Sequence, residues 1–221
     1  MNNKPIIMIG VGDFAKLIKY YLENDGNRKV AAFSVDKAYI KEDSFEELPV
    51  VAFESLEDVY SPDQYEVIIA IGAKNMNNLR KNFFYKCKEK GFSVATYIHS
   101  TCVVSKDVEI GEGNIILEKC LIQPFVKIGN CNLLWDNISI NHNDIVGNFN
   151  TIGGGVGFCG FDVIENNCYI GKYAMIFDKV KIKDYTLVGA GAYVKKDTKE
   201  YDVIVPARSV VLDGKKSTDF M

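Results

Sequence analysis

Histidine is scarce in this chain, with two in 221 residues, and tryptophan occurs once. Only His99 and His142 are available, and none of the six cysteines (Cys87, Cys102, Cys120, Cys131, Cys159, Cys168) forms a C-x-x-C pair, so the usual zinc patterns are missing. Without an export signal those cysteines read as reduced thiols, not a disulfide frame. The opening residues lack the charged region, apolar region and cleavage site of a secretory signal. The longest apolar run further in, Val67–Ala73, falls far short of the ~18 residues a membrane span needs. A soluble, cytoplasmic protein is expected, with no membrane partner. An excess of one charge is lacking too: 26 basic against 29 acidic residues leave a net charge of −3, which builds no field for holding nucleic acid. What the chain does have is apolar material. At 48% hydrophobic and 25% charged residues it can pack a core and is too apolar to be disordered.

The first 95 residues alternate strand-like and helix-like patterns. Pro5–Ile9 is a short β-rich run, and Phe14–Leu22 carries apolar residues at 14, 17, 18, 21 and 22, a helical spacing. Val30–Val35 and Glu66–Ile71 read as strands, Leu48–Phe53 as a short edge segment, and Leu79–Lys90 as a helix stopped by Gly91. The alternation predicts a small parallel sheet flanked by helices.

From residue 96 the period changes. Cut into sixes from Val108, the chain has an apolar residue at the third position of every block, from Ile110, Ile116 and Ile122 through Ile176, Ile182, Val188 and Val194, and no insertion breaks the phase. Val104 and Ile98 extend it backwards. A period of six fits a coiled ribbon that turns a corner every six residues. Asn114, Asn132 and Asn150 lie eighteen apart, as do Gly111, Gly129 and Gly147, and Gly153, Gly171 and Gly189, so each coil has three sides. Stacked asparagines can bond along a corner, and glycines are expected to relieve the tight turns. Small first-position residues such as Cys120, Cys168, Ala174 and Ala192 suit the crowded inside of a corner.

These repeats, with Leu187–Ala192 closing the series and Pro206-Ala-Arg208 after it, resemble the hexapeptide-repeat acyltransferases of left-handed β-helix fold. A Rossmann-like domain in front of such a helix, with Tyr97–Ser100 at the junction and Ile122–Gly129, resembles one branch: bacterial nucleotide-amino-sugar N-acetyltransferases and sialic-acid-type O-acetyltransferases. The implied layout is a nucleotide-sugar-binding domain over 1–95, a β-helix over 96–198, and a C-terminal tail over 199–221 that packs on the helix end. The resemblance also implies a homotrimer with active sites between subunits, a nucleotide-sugar substrate and acetyl-CoA as co-substrate.

Acetyl transfer needs a base for the attacking nucleophile and a donor for the oxyanion. His142 stands at the fifth position of its block, near a turn, where it can face a neighbouring chain. On the residues alone a surface histidine on a solvated edge is the competing reading; in the resembling enzymes a histidine at this place is the general base. Many relatives follow it with an acidic residue. Here that position is Asn143, with Asp144 one further as second choice for orienting the ring. Many also carry a second histidine where Asn150 stands, which reads here as part of the asparagine ladder. Gly160, eighteen residues after His142, occupies the place of the backbone oxyanion donor, with turn geometry as its competing reading. Coenzyme A would lie between two helices along later coils, near Gly160, Gly171, Gly189 and Ala190.

In the N-terminal domain, Gly10-Val-Gly-Asp-Phe-Ala15 follows a strand and opens a helix, as a phosphate-cradling turn should. It places Gly10, Gly12, Asp13 and Phe14 at the substrate, with Asp36 at the end of the second strand. The β-helix leaves room for little more than one mononucleotide-binding half, which argues against a dinucleotide and a nicotinamide oxidoreductase. The family implies a uridine or thymidine sugar nucleotide, with Asp36 as the acidic reader of the base. His99 reads as a structural junction residue, and Trp135, at an outward fourth position, as an inter-subunit contact. The reading is an N-acetyltransferase of a UDP- or dTDP-linked amino sugar. The alternatives are a sugar O-acetyltransferase and, because of Asn143, a transfer-deficient sugar-nucleotide-binding scaffold.

Overall fold

The computed structural model describes residues 4–220. The N-terminal domain comprises β1 (Ile6–Ile9), α1 (Asp13–Asn24), β2 (Val30–Val35), β3 (Ser44–Phe45), β4 (Leu48–Ala52), α2 (Leu56–Val59), β5 (Glu66–Ile69) and α3 (Asn78–Glu89). Its sheet runs β3-β4-β2-β1-β5, parallel apart from the β3–β4 hairpin. β1 and β5 are buried along their whole length, which is why they read as unbroken apolar runs. Helix α1 turns Ala15, Ile18 and Leu22 inward, the 3–4 residue spacing of one helical face. The segment expected at the sheet edge is one strand in from it: Ser44 pairs with Pro49, so the short β3 takes the edge.

The coil begins at Tyr97–Ile98 and winds through three sheets. The first face stacks the strands from Tyr97–Ile98 to Val203–Ile204, the second those from Val103–Val104 to Tyr193–Val194, and the third those from Glu109–Ile110 to Lys181–Ile182. Each strand pairs in parallel with the one eighteen residues on, as Ile122 does with Ile140, except the last, where Val188 pairs with Ile204 sixteen residues on. From Ile116 to Val194 every third-position residue is buried, none more than 4% exposed. The first coil has nothing stacked beneath it: Ile98 is exposed, and Val104 and Ile110 are only partly covered.

The asparagine ladder forms as the spacing implies. Asn132 N donates to Asn114 Oδ1 at 2.9 Å, Asn150 N to Asn132 Oδ1 at 2.8 Å, and Cys168 N to Asn150 Oδ1 at 2.7 Å. The glycines act otherwise than expected. The left-handed turn residue falls at the sixth position of the blocks, and side chains as large as Phe125, Phe161 and Tyr185 take it, with φ of 67°, 56° and 57°. The repeated glycines instead let successive coils approach: a Cβ on Gly129 would stand 2.6 Å from Asn148 Oδ1, and one on Gly153 2.6 Å from Lys172 N.

The N-terminal domain sits on the first face. Ile115, Leu117 and Leu133 join the core of Ile6, Met8 and Ile18, while Cys131 and Phe149 join that of Phe83 and Phe84. Trp135 belongs here too: its ring packs 5.7 Å from that of Phe14, a contact with its own N-terminal domain. Its outward position is covered because the whole domain folds onto that face. His99 is a junction residue, with Nδ1 2.9 Å from Thr101 Oγ1 and Nε2 3.7 Å from Asp25 Oδ1. The tail packs as far as Ile204, which pairs with Val188, and Pro206, which lies against Gly189; residues 207–220 are exposed.

Candidate active site

The first part of the site is a cleft of about 1090 Å³ at the C-terminal ends of the parallel strands, where β1 lies between β2 and β5. A crevice at such a reversal of strand order is where open α/β sheets bind ligands. Gly10, Gly12, Asp13, Phe14 and Asp36 all line it. Gly10 has φ of 116°, and a Cβ there would meet Ala70 O at 2.9 Å, so only glycine fits. Gly12, with φ of 120°, faces open space, and no side chain caps α1 behind it. The helix therefore offers its first backbone N–H groups to an anion. Asp36 lies 3.9 Å from Lys86 Nζ. Sequence reasoning missed Tyr39, Lys74 and Asn82, which also line the cleft. Only the end of the buried strand at Ile69 hinted at the Lys74 loop.

The second part is the corner between the second and third faces. His142 is exposed, and its backbone N–H donates to Gln123 Oε1 at 3.1 Å. Asn143, in the left-handed turn position with φ of 64°, brings its Oδ1 to 3.2 Å from His142 Nδ1. An amide oxygen only accepts, so this contact holds the proton on Nδ1 and leaves Nε2 free as a base. Gly160 lies directly against the ring: a Cβ there would stand 3.4 Å from His142 Cε1 and 3.5 Å from Nε2, and φ of 120° again favours glycine. Its N–H leans towards Asp162 Oδ2 at a loose 3.4 Å. Phe161 packs edge-to-face on the imidazole with ring centroids 5.2 Å apart.

Asp144 does not reach the ring. Its Oδ2 accepts from Asn141 N at 2.8 Å and its Oδ1 from Asp162 N at 2.8 Å, and burial pushes its carboxyl up to about 7. Asp162 continues this ladder by accepting from Val180 N at 2.9 Å. Of the two residues weighed as orienting partner, Asn143 is the one in contact.

The structure does not bring all the predicted residues together within one chain. Gly171, Gly189 and Ala190 sit at the corner between the first and second faces, one side of the triangle away from His142 and Gly160. The nucleotide cleft belongs to the domain on the first face, and the His142 corner is the one opposite that face. Around that corner and on the second face, Phe125, Phe161, Leu121, Met175 and Tyr193 are exposed. Among the described residues no three His, Cys, Asp or Glu side chains converge to hold a metal, and no helix is long and apolar enough to cross a membrane.

Residues 5–87 match the PglD N-terminal domain family. The acetyltransferase domain of PglB from Neisseria gonorrhoeae superposes with a TM-score of 0.80 at 21% identity, over 91% of this chain and 96% of that one, and its structure has also been solved with acetyl coenzyme A. A histidine-to-alanine mutant of GDP-perosamine N-acetyltransferase from Caulobacter crescentus, in complex with CoA and GDP-perosamine, gives 0.81 at 24% identity over 90% and 92%. WeeI from Acinetobacter baumannii gives 0.69 at 22% identity over 90% and 93%. The chain thus has the fold of these proteins, a PglD-type N-terminal α/β domain followed by a left-handed parallel β-helix of hexapeptide repeats.

Proposed function

We propose that this protein is an acetyl-CoA-dependent N-acetyltransferase acting on the amino group of a UDP- or dTDP-linked amino-deoxy sugar, assembled as a homotrimer. The observation that carries the reading is the imidazole of His142 laid against the backbone of Gly160, with Nδ1 held by Asn143 and Nε2 open. The substrate amine attacks the acetyl carbon of the thioester. As the C–N bond forms, Nε2 of His142 takes a proton from the nitrogen. The Gly160 N–H turns from its loose contact with Asp162 to the developing oxyanion. Collapse of that intermediate breaks the C–S bond, and the coenzyme A thiolate leaves and is protonated. An amine whose pKa lies near the working pH attacks readily, so a base oriented by a neutral amide suffices.

Placement supports an assembly of more than one chain, and the family resemblance makes it a homotrimer. A nucleotide cleft on the first face and a histidine on the opposite corner meet only across two chains. In such an assembly Gly171, Gly189 and Ala190 of one chain would line a groove beside His142 of another, where coenzyme A would lie. Both structural relatives solved with coenzyme A or its acetyl form share this fold.

Coenzyme A release, followed with a thiol reagent across UDP-, dTDP- and GDP-linked amino sugars, tests the reading. Release with a uridine or thymidine amino sugar is expected, and His142→Ala should lower kcat by about 10²–10⁴-fold. An unaltered rate in that variant removes His142 from the mechanism. No release with any substrate, despite nucleotide binding, would leave a transfer-deficient scaffold, the outcome that Asn143 in place of a carboxylate favours.

A further inference from the structure

A second cavity, of about 440 Å³, opens between the N-terminal domain and the first face of the β-helix. It falls within the roughly 300–1,000 Å³ of small-molecule pockets. The nucleotide cleft and this cavity share Asp13, Phe14 and Gly72, so one runs into the other past the start of α1. Two aromatic side chains of the β-helix, Trp135 and Tyr169, line its far wall. Asp13, an exposed residue, is the one charged residue lining it, and among the described residues its carboxylate makes no hydrogen bond or ion pair.

Building on the nucleotide-sugar reading, we infer that this second cavity holds the sugar ring, and that Asp13 and Trp135 select a sugar bearing an amine. The order of groups along the two cavities matches the order of groups in the ligand. Asp36 stands at the nucleoside end, and Gly12 with the open N-terminus of α1 at the diphosphate. The aromatic-walled chamber comes next. A carboxylate beside a diphosphate repels it, so Asp13 is unfavourable there unless the ligand carries a compensating cation close by. An amino sugar supplies one as its ammonium. That group pairs with Asp13, and the apolar face of the ring lies on the indole, whose π face also attracts a cation. A hydroxyl can donate to the carboxylate too, but as a neutral group it leaves the charge repulsion uncompensated. The ammonium releases one proton to solvent before the free amine attacks, so Asp13 positions the nitrogen and takes no part in the transfer step.

Calorimetric binding to the wild-type protein, Asp13→Asn and Trp135→Leu tests this. The ligands are UDP, dTDP, GDP, a UDP-linked amino-deoxyhexose, GDP-perosamine, and for each sugar the analogue with a hydroxyl in place of the amine. Wild type should prefer amine over hydroxyl by about tenfold or more. Asp13→Asn should bring the two within about twofold while binding the free diphosphate as well or better, because only the repulsion has gone. Trp135→Leu should weaken both sugar nucleotides and leave the free diphosphate unchanged. An amine preference that survives in Asp13→Asn overturns the inference while leaving the nucleotide reading intact. A wild-type protein that binds none of the free diphosphates overturns the nucleotide reading, and this inference with it.

Discussion

Both oxygens of the Asp144 carboxylate accept backbone N–H groups, from Asn141 and Asp162, yet its carboxyl is pushed up to about 7 because burial outweighs those bonds. A raised native-state value means that the folded protein keeps a proton which the unfolded chain has already released. The stability from this group is fully present below the unfolded value of 3.8 and is lost as pH rises through about 7, at no more than about 1.4 kcal/mol per pH unit. The melting temperature of wild type minus that of Asp144→Asn should therefore shrink between pH 5 and 8; a constant gap would show the carboxyl does not titrate there. At this scale the sequence was only partly legible. The family resemblance marked out His142 and Gly160, but it left Asn143 and Asp144 as rivals for the ring. The left-handed conformation at Asn143 puts its amide beside Nδ1, while Asp144 turns inward. That turn conformation recurs at residues as different as Lys119, Phe125 and Asn143, so composition does not reveal it.

Among the elements, α3 carries the densest polar junction. Arg80 is 2% exposed and has no carboxylate partner in this junction: its guanidinium donates to the carbonyls of Cys131, Ile71, Gly72 and Asn150, and to Asn77 Oδ1 and Thr151 Oγ1. It ties the loop after β5, where Asn75, Met76 and Asn77 are all left-handed, to a corner of the β-helix. Replacing Arg80 by Met should strip buried acceptors of their donor and destabilise the protein by at least about 3 kcal/mol. Limited proteolysis should then cut the N-terminal domain before the β-helix; equal protection of both halves would contradict the tie. No periodicity announces such a residue, because an arginine on an amphipathic helix ordinarily reads as solvated surface. The coil strands were readable because one apolar side chain per six residues has no other regular home. The glycines were misread because close approach between coils and relief of a turn both favour the residue without a Cβ.

For the molecule as a whole, the placement of cleft and corner makes a prediction about assembly. If each site draws His142 from one chain and the cleft from another, two inactive variants should rescue each other. Oligomers re-formed from an equal mixture of His142→Ala and Asp36→Ala chains should recover about a quarter of the wild-type sites. Unmixed preparations should stay at each variant's residual rate, and a mixture that does no better would place each site within one chain. The two-part architecture was legible from the change of period near residue 96, whereas the seating of Trp135 on its own domain was not. Which of three faces a preceding domain covers depends on how the chain enters the first coil, and repeats that treat all faces alike carry no mark of it.

The unbroken phase of six makes the β-helix a staircase with three landings per storey. Adding a full storey of eighteen residues between His142 and Gly160 would part them by about 4.8 Å in height. Adding a single landing of six would instead swing one of them around the shaft to a different side. A chain built this way can lengthen freely beyond its reacting pair, but between the two it must keep count.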